Sequence, residues 1–236
     1  MGEELRLDVY ERGFARAYLL RRGGRALLID SGLPGDTAAL GVFLAERGVR
    51  PGGRGAGRLE AVLLTHAHPD HAGGAAYLQR VYGAAVIVGA GDSTLVADGG
   101  ADPDLCPRGL LGRAVGATTA QARYPPFEPD LRVAHDTTLD FGVGRVRLRL
   151  THDHTPGSLI VSTAGEAFVG DLLRGGTLGP DRPRRHVFVC DDAANDAAIA
   201  HLAADTTIAR WHPGHGAAVS RAAVLEFLTE NNPQLP

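Results

Sequence analysis

Cysteine is nearly missing from this chain: Cys106 and Cys190 are the only two among 236 residues, beside a single Met and a single Trp. Two cysteines are too few for the disulfide framework of a small secreted domain, and theirs is not the paired spacing of a thiolate metal site. That usage fits a reducing cytoplasm, which is the expected location. A basic excess is missing too. The 24 Lys and Arg stand against 27 Asp and Glu, a formal net charge of -3, so no electrostatic footprint for a nucleic-acid backbone exists and a nuclease is disfavoured. The opening residues, Met1 to Arg6, include two acids and no apolar core segment, so neither a signal peptide nor a membrane anchor is expected. What remains is an ordinary globular composition, 44% hydrophobic and 22% charged. It can bury a core unaided, and one domain spanning 1–236 is expected.

Histidine and aspartate, by contrast, are concentrated. After the apolar run Ala61 to Leu64, read as the end of a buried strand, the segment His66-Ala-His-Pro-Asp-His71 packs three imidazoles and a carboxylate into six positions. These are ligand types that suit zinc and related first-row metals, and alternate side chains can converge from a strand end and the following loop. The arrangement accommodates two ions, with His66 and His68 on one and Asp70 and His71 on its neighbour. Gly73 and Gly74 allow close backbone approach where the chain turns into a helix.

Upstream, residues 5–10 and 15–21 read as a hairpin, and 25–30 as a third strand ending in an acid. Asp30 either orients a metal-bound imidazole through its free N–H or closes the turn with Ser31 and Gly32. A helix capped by Asp36 or Thr37 extends to Arg47, and Gly-rich 51–58 is a surface loop. A further helix (75–82) and strand (84–88) continue a strand–helix alternation that argues for an α/β layered architecture. Residues 91–130 lack strong periodicity and carry scattered apolar groups, including Leu105, Leu110, Leu111, Tyr124 and Phe127. They form either a lid or substrate wall, or an ordinary surface excursion.

Strand patterns resume at 131–134, 138–141 and 145–150, the last alternating Arg with aliphatic residues so that one face should meet solvent. His152 and His154 follow, two apart and on one face of an extended chain, so either is a candidate ligand. A hairpin over 158–163 and 166–170 delivers Asp171, which can bridge two cations or simply cap a turn. A helix over 191–204 with Ala197, Ile199, Ala200 and Leu202 inward, a strand over 207–211 and a helix over 221–231 complete the pattern. His212 and His215 stand between the last two.

Five landmarks in this order, Leu28-Ile-Asp-Ser-Gly32, Thr65 to Gly74, His154-Thr-Pro-Gly-Ser158, Val169-Gly-Asp171 and Pro213-Gly-His-Gly216, resemble those of the metallo-β-lactamase fold superfamily. The resemblance implies a four-layer αββα sandwich. It makes His154 the third ligand beside His66 and His68, and His215 the partner of Asp70 and His71, with Asp171 between the ions and Asp30 behind an imidazole. Asp153 stands where the family usually has Gly, while His152 and His212 receive no role. The implied cofactor is zinc, two ions per chain, with iron or manganese also compatible.

The implied chemistry is hydrolysis of a small ester-type substrate by a metal-activated hydroxide that Asp70 orients. A thiolate leaves without protonation and an alkoxide does not, and no Tyr lies between His154 and Asp171, so a thioester is favoured and a lactone stays credible. The chain resembles the glyoxalase II-like and small generic hydrolase branches, without the extended C-terminal helical region that binds a glutathione thioester. The rival is a mononuclear non-haem iron persulfide dioxygenase, which would use His66, His154 and Asp171. A β-lactamase role is less expected without an export signal. The partner expected is a small molecule, with neither nucleic acid nor membrane.

Overall fold

The structure is a computed structural model describing residues 3–53, 55–119, 122–176 and 181–231. Arg54 of the expected loop, residues 120–121 of the 91–130 segment and the side chain of Leu111 lie outside the described residues. Two six-stranded sheets pack face to face. The first runs in chain order: β1 (Arg6–Arg12), β2 (Ala15–Arg22), β3 (Arg25–Ile29), β4 (Arg58–Leu63), β5 (Ala85–Gly89) and β6 (Leu131–Val133). Its first three strands are antiparallel, as tight turns dictate, and the rest are parallel. Parallel neighbours need long crossovers. These carry α1 (Thr37–Glu46), the single-turn α2 (Pro69–Ala72), α3 (Ala75–Tyr82), α4 (Ser93–Ala97) and α5 (Gly109–Thr119).

The second sheet comprises β7 (Thr137–Asp140), β8 (Arg145–Leu150), β9 (Leu159–Thr163), β10 (Glu166–Gly170), β11 (Arg210–Pro213) and β12 (Val219–Ser220), in spatial order β12-β11-β10-β9-β8-β7. α6 (Asp192–Ala203) makes the crossover from β10 to its parallel neighbour β11, and α7 (Arg221–Asn231) follows β12.

Strand side chains alternate faces, and that period sorts the apolar residues into three cores. In β3, Leu27 and Ile29 point between the sheets to meet Leu148, Val161 and Phe168, while Leu28 points outward to Leu40, Leu44 and Leu78 of α1 and α3. On the far side, Val169 and Trp211 meet Ile199 and Leu202 of α6 and Val224 and Phe227 of α7. Three buried interfaces between four layers are the αββα arrangement.

Four expectations need correction. The strand expected over 207–211 begins at Arg210, because Asp205 folds Thr207 into a turn by accepting from its N–H at 3.1 Å and its hydroxyl at 2.5 Å. The helix at 191–204 is capped by Asp191, yet it buries Asn195 and Asp196 while leaving Ala197 exposed. The polar pair is needed inside. Asn195 donates to the Leu172 carbonyl at 2.9 Å and Asp196 accepts from Arg185 at 2.6 Å. Arg149, placed by alternation on a wet face, is buried between Asp136 and Asp205. Asp36, expected as a helix cap, makes no capping bond and pairs with Arg12.

Cys106 and Cys190 are joined in a disulfide across a separation of 84 residues. Nothing local in sequence announces it. The flanking backbones pair beside it: Val189 N–H donates to Cys106 C=O at 3.1 Å and Arg108 N–H to Val187 C=O at 2.8 Å. The bond removes the cysteine argument for a reducing compartment. Among the described residues no helix is long and apolar enough to cross a membrane. Because cross-linking so long a loop constrains the unfolded chain, Cys190→Ser should lower the unfolding free energy by about 2–4 kcal/mol, read as an earlier midpoint in urea.

Candidate metal centre

Strands β3, β4, β8, β10 and β11 end on one rim of the sandwich, because the parallel pairs and the β8-β9-β10 meander aim their carboxyl ends the same way. β3 delivers Asp30, β4 delivers Thr65, His66 and His68, and the loop after β8 delivers His154. Asp171 and His215 follow β10 and β11. After His68, Pro69 starts α2 with its φ already helical, and this one turn swings Asp70 and His71 to the far side of the centre. Close approach is built in as well. A Cβ on Gly73 would lie 2.3 Å from Pro34 N, and one on Gly214 would lie 2.2 Å from His71 Cε1.

The seven expected residues meet. His66, His68 and His154 form one group with all ligand atoms within 4.8 Å of one another; Asp70, His71 and His215 form a second on the same criterion. Asp171, 4% exposed, stands between them. Its Oδ2 lies 3.8 Å from His66 Nε2 and 3.5 Å from His154 Nε2, and its Oδ1 lies 3.3 Å from both His71 Nε2 and His215 Nε2. Each oxygen thus faces a different group. Asp70 Oδ2 closes the second group at 3.3 Å from His215 Nε2.

The hydrogen bonds behind the rings fix which nitrogen faces inward. His71 Nδ1–H donates to Asp30 Oδ2 at 2.8 Å and His68 Nε2–H to Asp102 Oδ2 at 2.8 Å. His154 Nδ1–H donates to the Phe188 carbonyl at 3.1 Å, and His215 Nδ1–H to the Phe14 carbonyl at 2.8 Å. His66 Nδ1 faces Thr65 Oγ1 at 3.2 Å, whose own proton is committed to Asp30. All five rings therefore turn a lone pair inward. His68 Nδ1 and His154 Nε2 approach to 3.0 Å, and His66 Nε2 and Asp171 Oδ1 are buried without a hydrogen-bond partner. Acceptors converging on one point need a cation, and N/O donors of this kind suit zinc or a similar ion. The residues fit the group.

Without an ion, protons take its place. Burial opposes charge on His71 and His215, but Asp171, Asp30 and Asp70 outweigh it at His71, and Asp171 with Asp70 lift His215 to about 10. His66 shifts the other way, pushed down by burial and by the neighbouring His71 and His154 charges.

Asp30 spends its carboxylate on Thr65 and His71, the contact that an orienting role needs. It sits at φ 58, a strained conformation for a residue with a side chain, and accepts from Thr65 N–H at 2.8 Å as well as from His71. Of the two neighbouring histidines only His154 enters; His152 bonds the Pro156 carbonyl. Asp153 accepts from Asn195, and His212 pairs with Glu166 at 2.6 Å while stacking on Phe168, outside the centre.

Three contributors escaped the sequence reading. Asp102 holds His68 from within the 91–130 segment. Buried Asp92 accepts from Ala67 N–H, Thr155 Oγ1–H and Gly157 N–H, tying two ligand loops together. His186 reaches Asp171 Oδ2 at 3.1 Å, and burial pushes its pKa down to about 3. None has a motif around it; His186 follows Arg-Pro-Arg-Arg, with only the alternating Val-Phe-Val beyond it as a weak strand signal. The centre opens to a cavity of about 700 Å³ lined by Phe14, Arg16, Arg174, Val187 and Phe188.

Known proteins align with this architecture. A family model described as the metallo-beta-lactamase superfamily matches residues 10–216. A hydroxyacylglutathione hydrolase of Anaeromyxobacter dehalogenans is 31% identical over 156 residues, covering 66% of this chain and 45% of that protein. A probable metallo-hydrolase, YqgX, of Bacillus subtilis is 28% identical over 167 residues, covering 70% and 69%. The chain spans about half the length of the two hydroxyacylglutathione hydrolases it matches, at 45% and 54%. Among solved structures, the BLEG-1 B3 metallo-beta-lactamase superposes with a TM-score of 0.72 at 22% identity, covering 95% of this chain and 100% of that one. ST1585 from Sulfolobus tokodaii gives 0.66 at 18%, covering 95% and 85%. At these identities the likeness shows the fold alone.

Two outcomes follow from the hydrogen bonds. Asp30→Ala should weaken metal binding about 10- to 100-fold, measured by competition with a chromogenic chelator, since His71 loses its fixed orientation. Protons on His71 and His215 compete with the ion, so binding should release protons, and affinity should climb with pH toward about 10, where His215 becomes neutral. Calorimetry in buffers of different ionisation enthalpy reads both.

Proposed function

Because the chain belongs to the metallo-β-lactamase superfamily, we propose that it is a binuclear metal-dependent hydrolase that cleaves a small acyl compound, a thioester or a lactone. His66, His68 and His154 hold one ion, Asp70, His71 and His215 hold the other, and Asp171 lies between. The observation that carries this is the uniform polarity of the five rings: every outer nitrogen donates to a fixed acceptor, so five lone pairs and Asp171 point at two places. A lone iron held by His66, His154 and Asp171 would leave the complete second group without a purpose.

Bound there, a pair of zinc ions supplies hydroxide near neutral pH and polarises an acyl carbonyl. The chain's own part is positioning. Asp70, partly open to the cavity, is the acceptor that orients the nucleophile. Phe14, Val187 and Phe188 give an apolar wall for the acyl chain, and Arg174 stands at the same opening with Arg16, whose charge is paired with Glu11 at 2.9 Å. From the 91–130 segment Val115 joins the cavity lining, and Asp102, which grips His68, with Tyr124 Oη–H donating to the Ala67 carbonyl at 2.8 Å, fastens the segment to the centre.

The names of the hydroxyacylglutathione hydrolase relatives favour thioesters among acyl substrates. Zinc is the first choice of metal on ligand chemistry, with iron or manganese as alternatives. Zinc-loaded protein should turn over one class in a panel of thioesters, lactones, β-lactams and phosphodiesters, without oxygen and with two zinc per chain. One ferrous iron with oxygen uptake on a persulfide would replace this assignment with the dioxygenase. His68→Ala and Asp171→Ala should each abolish turnover and lower bound metal while circular dichroism stays unchanged.

A further inference from the structure

His186 belongs to the cluster by distance, yet its hydrogen bonding is the reverse of a ligand's. The five inward rings each have an acceptor at the outer nitrogen. His186 has a donor there: the Phe188 backbone N–H approaches its Nδ1 at 3.3 Å. A ring nitrogen that accepts has no proton, so in the neutral ring the proton sits on Nε2. That nitrogen lies on the cavity side, 3.1 Å from Asp171 Oδ2. Phe188 thereby sets two opposite tautomers, its carbonyl drawing Nδ1–H from His154 and its N–H filling Nδ1 of His186.

We propose that His186 is a catalytic hydrogen-bond donor, whose Nε2–H takes the substrate's acyl oxygen as negative charge develops on it. This rests on the hydrolase assignment. Once both oxygens of Asp171 face cations, that carboxylate is a poorer acceptor for His186, and the N–H is available to a substrate entering beside it. Among the described imidazoles of the centre, His186 alone turns a hydrogen inward. The ring is also immobilised in advance, 5% exposed, stacked on His215 at 5.3 Å and 19° and set edge-on to His154 at 5.1 Å. Arg185, the residue before it, is anchored to buried Asp196 of α6 at 2.6 Å. A donor fixed before the reaction needs no reorganisation when charge appears.

The test combines spectroscopy with kinetics on zinc-loaded protein. Long-range proton–nitrogen NMR of histidine-labelled chain should show His186 with its proton on Nε2 and no metal on either nitrogen. His186→Leu should keep its zinc content and KM while kcat falls about a hundredfold; His186→Gln, which retains an N–H, should recover part of the loss. A proton on Nδ1, a lost equivalent of zinc in the variants, or an unchanged kcat would each overturn the donor role. If wild-type protein hydrolyses no acyl substrate, the hydrolase assignment fails by itself, and with it the catalytic part of the proposal. The NMR tautomer still decides separately whether His186 is donor or ligand.

Discussion

Turning five imidazoles inward strips water from each ring, and the fold can hold them only because every outer nitrogen has a fixed acceptor. Those acceptors are of different kinds: the carboxylates of Asp30 and Asp102, the hydroxyl of Thr65, and the carbonyls of Phe14 and Phe188. An unpaired buried N–H would cost roughly 1–3 kcal/mol, so these contacts matter to folding as well as to ligand geometry. Asp30 carries the most. Its carboxylate joins the end of β3 to Thr65 just beyond β4 and to His71 within α2, and the chain tolerates a left-handed backbone there to aim it. Strain at such a position persists only where the surroundings overdetermine it.

The His66–His71 cluster and most strands were legible from local pattern, whereas His154, His215 and the four-layer arrangement were legible only through the resemblance to a family. Alternation in Leu27-Leu-Ile29 separates two cores, and His66 to His71 places four of the clustered side chains within six positions. The supporting shell was not legible, since its members act across long separations. Asp102 meets His68 across 34 positions, Asp92 meets Gly157 across 65, and Cys106 meets Cys190 across 84. An isolated Asp or Cys in a Gly- and Pro-rich stretch carries no period, and periodicity is the main signal that sequence offers. Arg149 and the inward face of α6 failed for a related reason. Both bury polar groups whose partners come from other elements, and an apolar count cannot register these pairings.

One strap gathers several of these distant contributions. Residues 106–108 pair with 187–189 through two backbone hydrogen bonds, and the disulfide closes the pairing at one end. On one side, a few residues before the strap, is Asp102, which steadies His68; on the other are Phe188, which steadies His154, and His186. The strap thus fastens two rings of one group and the neighbouring donor to a common piece of backbone. Catalytic geometry tolerates little displacement, and binding elements set on a braced frame hold position better than those on a free loop. Asp102 and Tyr124 accordingly make their part of the 91–130 segment a support of the centre.

His186 also bears on substrate choice. The preference for thioesters drawn from sequence rested on the absence of a Tyr between His154 and Asp171 to assist an oxygen leaving group, because a thiolate needs less help than an alkoxide. His186, from beyond those positions, is placed for the acyl oxygen instead. An N–H held against the acyl oxygen lowers the barrier to forming the tetrahedral adduct for either class and leaves the leaving-group difference between them as it was. In the proposed reaction the cavity meets both classes alike, since its apolar wall and the arginines at its opening face the acyl part rather than the leaving atom.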